Sequence, residues 1–134
     1  MTRRRVVMVA MPNAEVVEVD GALDIFYVAN LVRSVYAKDA VVIGQPFPTA
    51  TGIEEILALY TDFLSKLDFN VQFDLLEMEL RDDLGFIRTR SHGTIVPKGQ
   101  KPTGSEGNRE IFIVRKIEGA WKFYRYIFNA EVAP

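Results

Sequence analysis

From Tyr36 to Leu67 the chain reads as an apolar strand (YAKDAVVIG), a Pro/Thr-rich turn and one long amphipathic helix. Ile53, Ile56, Leu57, Tyr60, Leu64 and Leu67 recur at helical spacing, with Glu54, Glu55, Thr61, Asp62, Ser65 and Lys66 between them. Leu59 and Phe63 widen the apolar side, so the helix is expected to be covered on more than one flank. Thr51 and Glu54 stand at the spacing of a capping box just ahead of it. At a rise of ~1.5 Å per residue it is about 22 Å long, enough to cross a curved sheet.

The flanking stretches are mostly strand-like, with one helical interval. Arg5 to Met11 is rich in β-branched residues and stops at Pro12-Asn13, which predicts a strand, and Glu15 to Asp20 continues extended. Leu23, Phe26, Tyr27, Leu31 and Val35 suit one or two helical pieces ending near Tyr36. After the long helix, Asn70 to Leu80 alternates with a phase slip at Leu75-Leu76, the mark of a bulge. Asp82-Asp83-Leu84-Gly85 is a turn, and Phe86 to Val96 a second strand. Pro97 to Asn108 is an exposed loop rich in Gly, Pro and Lys. Arg109 to Lys116 is a third strand, Ile117 to Ala120 a turn, and Trp121 to Val132 a fourth strand. Hairpin-linked strands following helices indicate an α+β fold with a bent antiparallel sheet and an extra N-terminal strand.

Composition narrows the function classes. At 134 residues the chain is read as one domain, with residues 1–20 an atypical N-terminal segment. A net charge of −2 gives no global attraction to nucleic acid, and Arg3 to Arg5 reads as a solvated terminal run. The absence of cysteine removes disulfides, thiol nucleophiles and thiolate metal sites, and a single histidine removes a multi-imidazole zinc site. No metal or cofactor is expected. No apolar run reaches the ~20 residues of a membrane span, and the short run Val6 to Ala10 is too brief for a signal peptide, so a cytoplasmic protein is expected.

Two resemblances follow from particular residues. Over 27 residues, RRVVMVAMPNAEVVEVDGALDIFYVAN resembles the first strand and helix of the PfpI-type amidotransferase-like fold, whose nucleophile cysteine the chain lacks. Over roughly residues 21–130, Tyr36-Ala37-x-Asp39-Ala40, Gly52 opening a helix that reaches Tyr60, and the ending GAWKFYRYIFN resemble the nuclear transport factor 2-like superfamily. Within it, SnoaL-like and ketosteroid isomerase-like proteins are the nearest in pattern. The resemblance implies a cystatin-like cone: a strongly bent sheet wrapped around helices, enclosing an apolar pocket, commonly as a homodimer. It also implies a small apolar molecule as partner, and chemistry such as isomerisation, cyclisation or hydration.

Ketosteroid isomerases use a carboxylate base to move a proton between carbons, and a phenol with a protonated carboxylic acid to stabilise the dienolate oxygen. Carried over by resemblance, Tyr36 and Tyr60 match supporting tyrosines, Glu110 the protonated acid and, across a shortened helical region, Tyr27 the phenol. The base position falls on Gly44, which cannot move a proton.

The residues themselves leave one further ambiguity. Phe86, Arg88, Arg90, His92 and Thr94 share one face of their strand, and Ile87, Thr89, Ser91 and Ile95 the other. If the first set faces inward, His92 is the natural acid or base beside Glu110, and Arg88 a cation for the ligand. If the second set does, His92 and Arg88 lie on the solvated face and the argument for an enzyme weakens sharply. Glu110 shares its face with Phe112 and Val114, which favours the interior and makes Phe112 a candidate pocket residue. Of the dense aromatic strand Trp121 to Phe128, one set is core; the other, with Tyr124 and Tyr126, is a subunit interface or a pocket wall. A non-catalytic dimeric binding or assembly module is the alternative function.

Overall fold

The structure, a computed structural model, describes residues 5–10, 15–20, 25–101 and 104–131, and for residues 5–10, 15–20, 25–28 and 69 the backbone alone. The turn expected at Pro12-Asn13 and the end of the last strand at Val132 lie outside the described residues. The elements run β1 (Arg5–Ala10), β2 (Glu15–Asp20), α1 (Ile25–Val35), β3 (Tyr36–Gly44), β4 (Ala50–Thr51), α2 (Ile53–Lys66), β5 (Leu67–Arg81), β6 (Leu84–Pro97), β7 (Glu106–Ile117) and β8 (Ala120–Ala130). The strands make one sheet in the order β2-β1-β5-β6-β7-β8-β3-β4. It curls around the two helices in an α+β arrangement.

The sheet is antiparallel through β5–β6–β7–β8. It turns parallel at two junctions, where β3 joins β8 and where β1 joins β5. The hairpin turns fall on the residues that tolerate left-handed backbone: Asp82 has φ 52°, and Glu118 and Gly119 have φ 51° and 81°. The phase slip read at Leu75-Leu76 is a bulge, since Leu75 pairs with Thr89 and Glu77 with Arg88, leaving Leu76 as the extra residue.

A second bulge changes the expected faces of β8. Ile113 pairs with Arg125 and Val114 with Phe123, so Tyr124 is the extra residue. Phe123 and Tyr126, three apart, therefore both turn into the core and are 2% and 8% exposed. Tyr124 is separated from Tyr126 and lies between two guanidinium groups, those of Arg115 at 4.1 Å and Arg125 at 3.8 Å from its ring centre. The pairing of Tyr124 with Tyr126 on one face is thus corrected by a single inserted residue.

The start of α2 also differs from the expected capping box. Gly52 is the N-cap, at φ 83°, a conformation glycine adopts without strain, and no side chain caps the helix there. Instead Glu55 reaches back and accepts from the Thr51 N–H at 3.1 Å, while Glu54 pairs with Arg33 of α1 at 3.1 Å. Shifting the helix start by one residue from Thr51 moved the reciprocal carboxylate from Glu54 to Glu55. The helix ends where Leu67 turns extended at φ −124° and enters β5 with no intervening loop. The last turn of α1 is closed by Lys122, whose ammonium donates to the Ser34 carbonyl.

Ile56 and Val32, both 0% exposed, bring α2 and α1 onto Ile87, Val114, Phe112, Phe123 and Tyr126. Each aliphatic side chain so buried stabilises the fold by about 1.5–3 kcal/mol relative to exposure. This packing presses the helices onto the concave face and leaves the convex face uncovered by any described helix.

Candidate functional site

The strand registers lay out the concave face as rows. One row runs Ile87–Phe112–Tyr126–Val42–Ala50 across β6, β7, β8, β3 and β4, and the next runs Thr89–Glu110–Phe128–Gly44. The first row is apolar apart from one phenol and is buried throughout. Phe112 stacks on both Phe123 and Tyr126, with ring centres 4.6 and 4.2 Å apart. The second row carries the polar groups.

Glu110 is 2% exposed. Thr89 Oγ1 lies 2.7 Å from its Oε1 and Ser91 Oγ 2.6 Å from its Oε2. Burial pushes the carboxyl above the usual carboxylate range; the two hydroxyls pull it partly back, and the negative charge of Glu131 adds to the rise. The two arginines that would have offset this are engaged elsewhere: Arg90 with Glu131 at 3.3 Å, and Arg109 with the Asn129 side-chain oxygen at 2.9 Å.

A set of phenols faces the same interior. Tyr36, the first residue of β3, and Tyr60 of α2 share a hydrogen bond of 2.8 Å. Tyr126 is near both Tyr60 and Glu110, and either group, when ionised, would further disfavour ionisation of its phenol. Burial raises all three phenols above their ordinary value, so they are neutral hydroxyls through the physiological range. The structure thus brings together four of the residues singled out in the sequence: Glu110, Phe112, Tyr36 and Tyr60. Tyr27 lies on α1, and its side chain is outside the described residues.

His92 and Arg88 are not part of this group. They stand on the convex face, one residue out of phase with Thr89 and Ser91. Arg88 donates to Glu77 at 2.6 Å, and His92 Nε2 lies 3.3 Å from Asp74 Oδ2, with about half of each side chain exposed. The expectation that His92 works beside Glu110, with Arg88 as its cation, is therefore corrected by strand parity. His92 borders a cleft of about 200 Å³ shared with Asn70, Val71, Gln72, Gly93 and Thr94. Among the described residues, no group of three or more His, Asp or Glu side chains is placed to hold a metal ion.

Thr89 and Ser91, the two partners of Glu110, are positions that sequence reasoning passed over as candidates in their own right. The signal was present in the contrast along β6. Arg88, Arg90 and His92 fall on one parity and small neutral residues on the other, and burial accepts the second set at much lower desolvation cost. Phe128 was also missed. A β-carbon built on Gly44 would overlap the Phe128 ring, so the phenyl fills the space of the side chain that Gly44 lacks.

No protein-family model and no curated protein matches the sequence. Solved structures do match in three dimensions. A ketosteroid isomerase-like protein from Erwinia carotovora atroseptica SCRI1043 aligns with a TM-score of 0.71 and 25% identity, over 79% of this chain and 82% of that one. A nuclear transport factor 2-like superfamily protein from Salmonella enterica serovar Typhimurium aligns at 0.65 and 15% identity, over 78% of each chain. A protein of unknown function with a cystatin-like fold from Nostoc punctiforme aligns at 0.58 and 19% identity, over 84% of this chain and 82% of that one. Among the described residues, no helix is long and apolar enough to cross a membrane.

Proposed function

In a chain of the nuclear transport factor 2-like fold, with ketosteroid isomerase-like proteins among its structural neighbours, we propose that the concave face binds a small apolar molecule bearing a carbonyl oxygen. The observation that carries this reading is Glu110, a carboxyl buried among apolar rings and neutral phenols and without an ion pair among the described residues. A buried acid held neutral is a hydrogen-bond donor. With Thr89 and Ser91 on its two oxygens, protonation turns one hydroxyl from donor to acceptor, and that hydroxyl's own O–H is then free to donate. Burial brings this carboxyl nearer its neutral form than an exposed glutamate, and in that form the row offers a ligand oxygen an uncharged donor in apolar surroundings.

The same row limits the chemistry. Gly44, the position that the resemblance assigns to the base, carries the Phe128 ring over it, so the row holds an acid and no second carboxylate. Polarisation of a carbonyl, as in a cyclisation or hydration, fits this inventory better than carriage of a proton between two carbons. A ligand-detected NMR screen with apolar ketones such as acetophenone and 1-tetralone tests the reading. Saturable binding that Glu110→Gln or Tyr126→Phe weakens supports it; saturable binding indifferent to both changes, or none by the folded protein, refutes it.

A specific observation also favours assembly. Ile43, Ile127 and Ile111 lie side by side on β3, β8 and β7 of the convex face and are 43%, 46% and 40% exposed. We propose that this row is the centre of a homodimer interface, since adjacent exposed isoleucines on an uncovered sheet face are otherwise an association hazard. Sedimentation of the wild type as a dimer, and of Ile127→Lys as a monomer, would bear this out; a monomeric wild type at 100-micromolar order would not.

A further inference from the structure

Gly44 differs in kind from the glycines at the turns and bends of this chain. Gly52, Gly93, Gly99 and Gly119 have positive φ and need glycine for conformational reasons, whereas Gly44 sits in ordinary strand backbone that any residue could adopt. What it lacks is space. The three nearest atoms to a β-carbon at this position are all in the Phe128 ring. In register, Phe128 stands between Glu110 on one side and Gly44 on the other. An aromatic side chain in the middle of such a row can lean toward either neighbour, because directly opposite β-carbons are only ~4.5–5.5 Å apart. Here the ring leans from β8 onto β3 and so away from the acid. It is only half-buried, and its aromatic contact, with Tyr126 at 5.2 Å and 38°, is a tilted one.

We propose that Phe128 is the specificity gate of the Glu110 site and that Gly44 is the berth that keeps the gate open. With the ring resting on Gly44, the Glu110 side of the row is left for a ligand oxygen. A side chain at position 44 displaces the ring back across the row toward Glu110, where it fills that space. The glycine is thus required for access to an acid two strands away, with no contact of its own to the ligand. This inference rests on the reading of Glu110 as the ligand-binding acid.

The test is a double-substitution cycle read by isothermal titration with acetophenone and 1-tetralone on the full chain, using wild type, Gly44→Val, Phe128→Ala and the double variant. Gly44→Val is expected to weaken binding roughly tenfold or more, the effect of a steric misfit in an apolar site. Removal of the ring abolishes the penalty: the double variant is expected within about twofold of Phe128→Ala alone. Where Gly44→Val fails to fold by circular dichroism, Gly44→Ala carries the same cycle with the smallest side chain. Unchanged affinity on substitution of Gly44, or a double variant that binds no better than the Gly44 variant, overturns the gate while leaving the Glu110 reading intact. A wild type that binds neither ketone removes the Glu110 reading, and the gate with it.

Discussion

The two faces of β6 and β7 are built from alternate residues of the same two strands, yet they have opposite chemistry. Inward, Ile87, Thr89, Ser91, Glu110, Phe112 and Val114 are all buried, and the one acid among them has only hydroxyls for partners. Outward, Arg88 and His92 pair with Glu77 and Asp74, Arg90 with Glu131, and Ile111 is exposed. The charged residues that look most like chemistry on paper are on the face where water screens them, and the uncharged hydroxyls beside them are where an acid can be perturbed. A titratable group gains functional character from loss of solvent more than from company of opposite charge, which restores its ordinary ionisation.

The sharpest way to break this comparison is to truncate matched residues on the two faces. Ile87→Ala, which empties a fully buried position, is expected to cost about 2–5 kcal/mol in urea unfolding, whereas Ile111→Ala in the monomer stays within about 0.5 kcal/mol. Equal losses at the two sites would mean the faces are not distinct. Next in size, Ser91→Ala removes a hydroxyl from a buried carboxyl and is expected to cost about 1–3 kcal/mol, against at most about 1 kcal/mol for Arg88→Ala, which opens an exposed ion pair. The same denaturation curves decide it.

The pH dependence sharpens the comparison further. Burial raises the folded-state pKa of Glu110 above its unfolded value. Between the two values the folded protein binds more protons than the unfolded chain, so stability falls as pH rises through that window and the loss is complete above the folded pKa. Glu110→Gln carries no such penalty. It is expected to be more stable than wild type at pH 8, with the gain shrinking as pH falls and gone below the ordinary glutamate range; a constant difference across pH would contradict the buried acid. The smallest effect belongs to His92→Ala, which is expected to leave ketone affinity unchanged and to shift stability by no more than about 0.5 kcal/mol. A clear loss of affinity there would move the site to the convex face.

Much of this fold was legible because its signals are local. The helical period from Ile53, the turn residues at Asp82 and Glu118, and the slip at Leu75-Leu76 each specify one element, and each is where the sequence places it. Glu110 was legible as interior for the same reason, flanked at period two by Phe112 and Val114. Parity on β6 was not, because both alternating sets contain residues that can serve a pocket, and only the packing of Ile87 against α1 and α2 decides between them. The separation of Tyr124 from Tyr126 was not legible because a bulge at Tyr124 has no sequence mark comparable to Leu75-Leu76: every residue around it is aromatic or basic. The Phe128–Gly44 pairing was beyond reach, since it joins residues 84 positions apart through a parallel junction that no local pattern encodes.

Isoleucine methyl groups report both faces at once, and their response to a ligand is the measurement that addresses the central claim most directly. With ¹³C-labelled isoleucine δ1-methyls, Ile56 and Ile87 mark the concave interior and Ile43, Ile111 and Ile127 the convex row. Titration with 1-tetralone is expected to move the Ile87 and Ile56 signals in a saturable way and to leave the three convex signals in place. Saturable shifts at Ile43, Ile111 and Ile127, with Ile56 and Ile87 unmoved, would contradict the concave site.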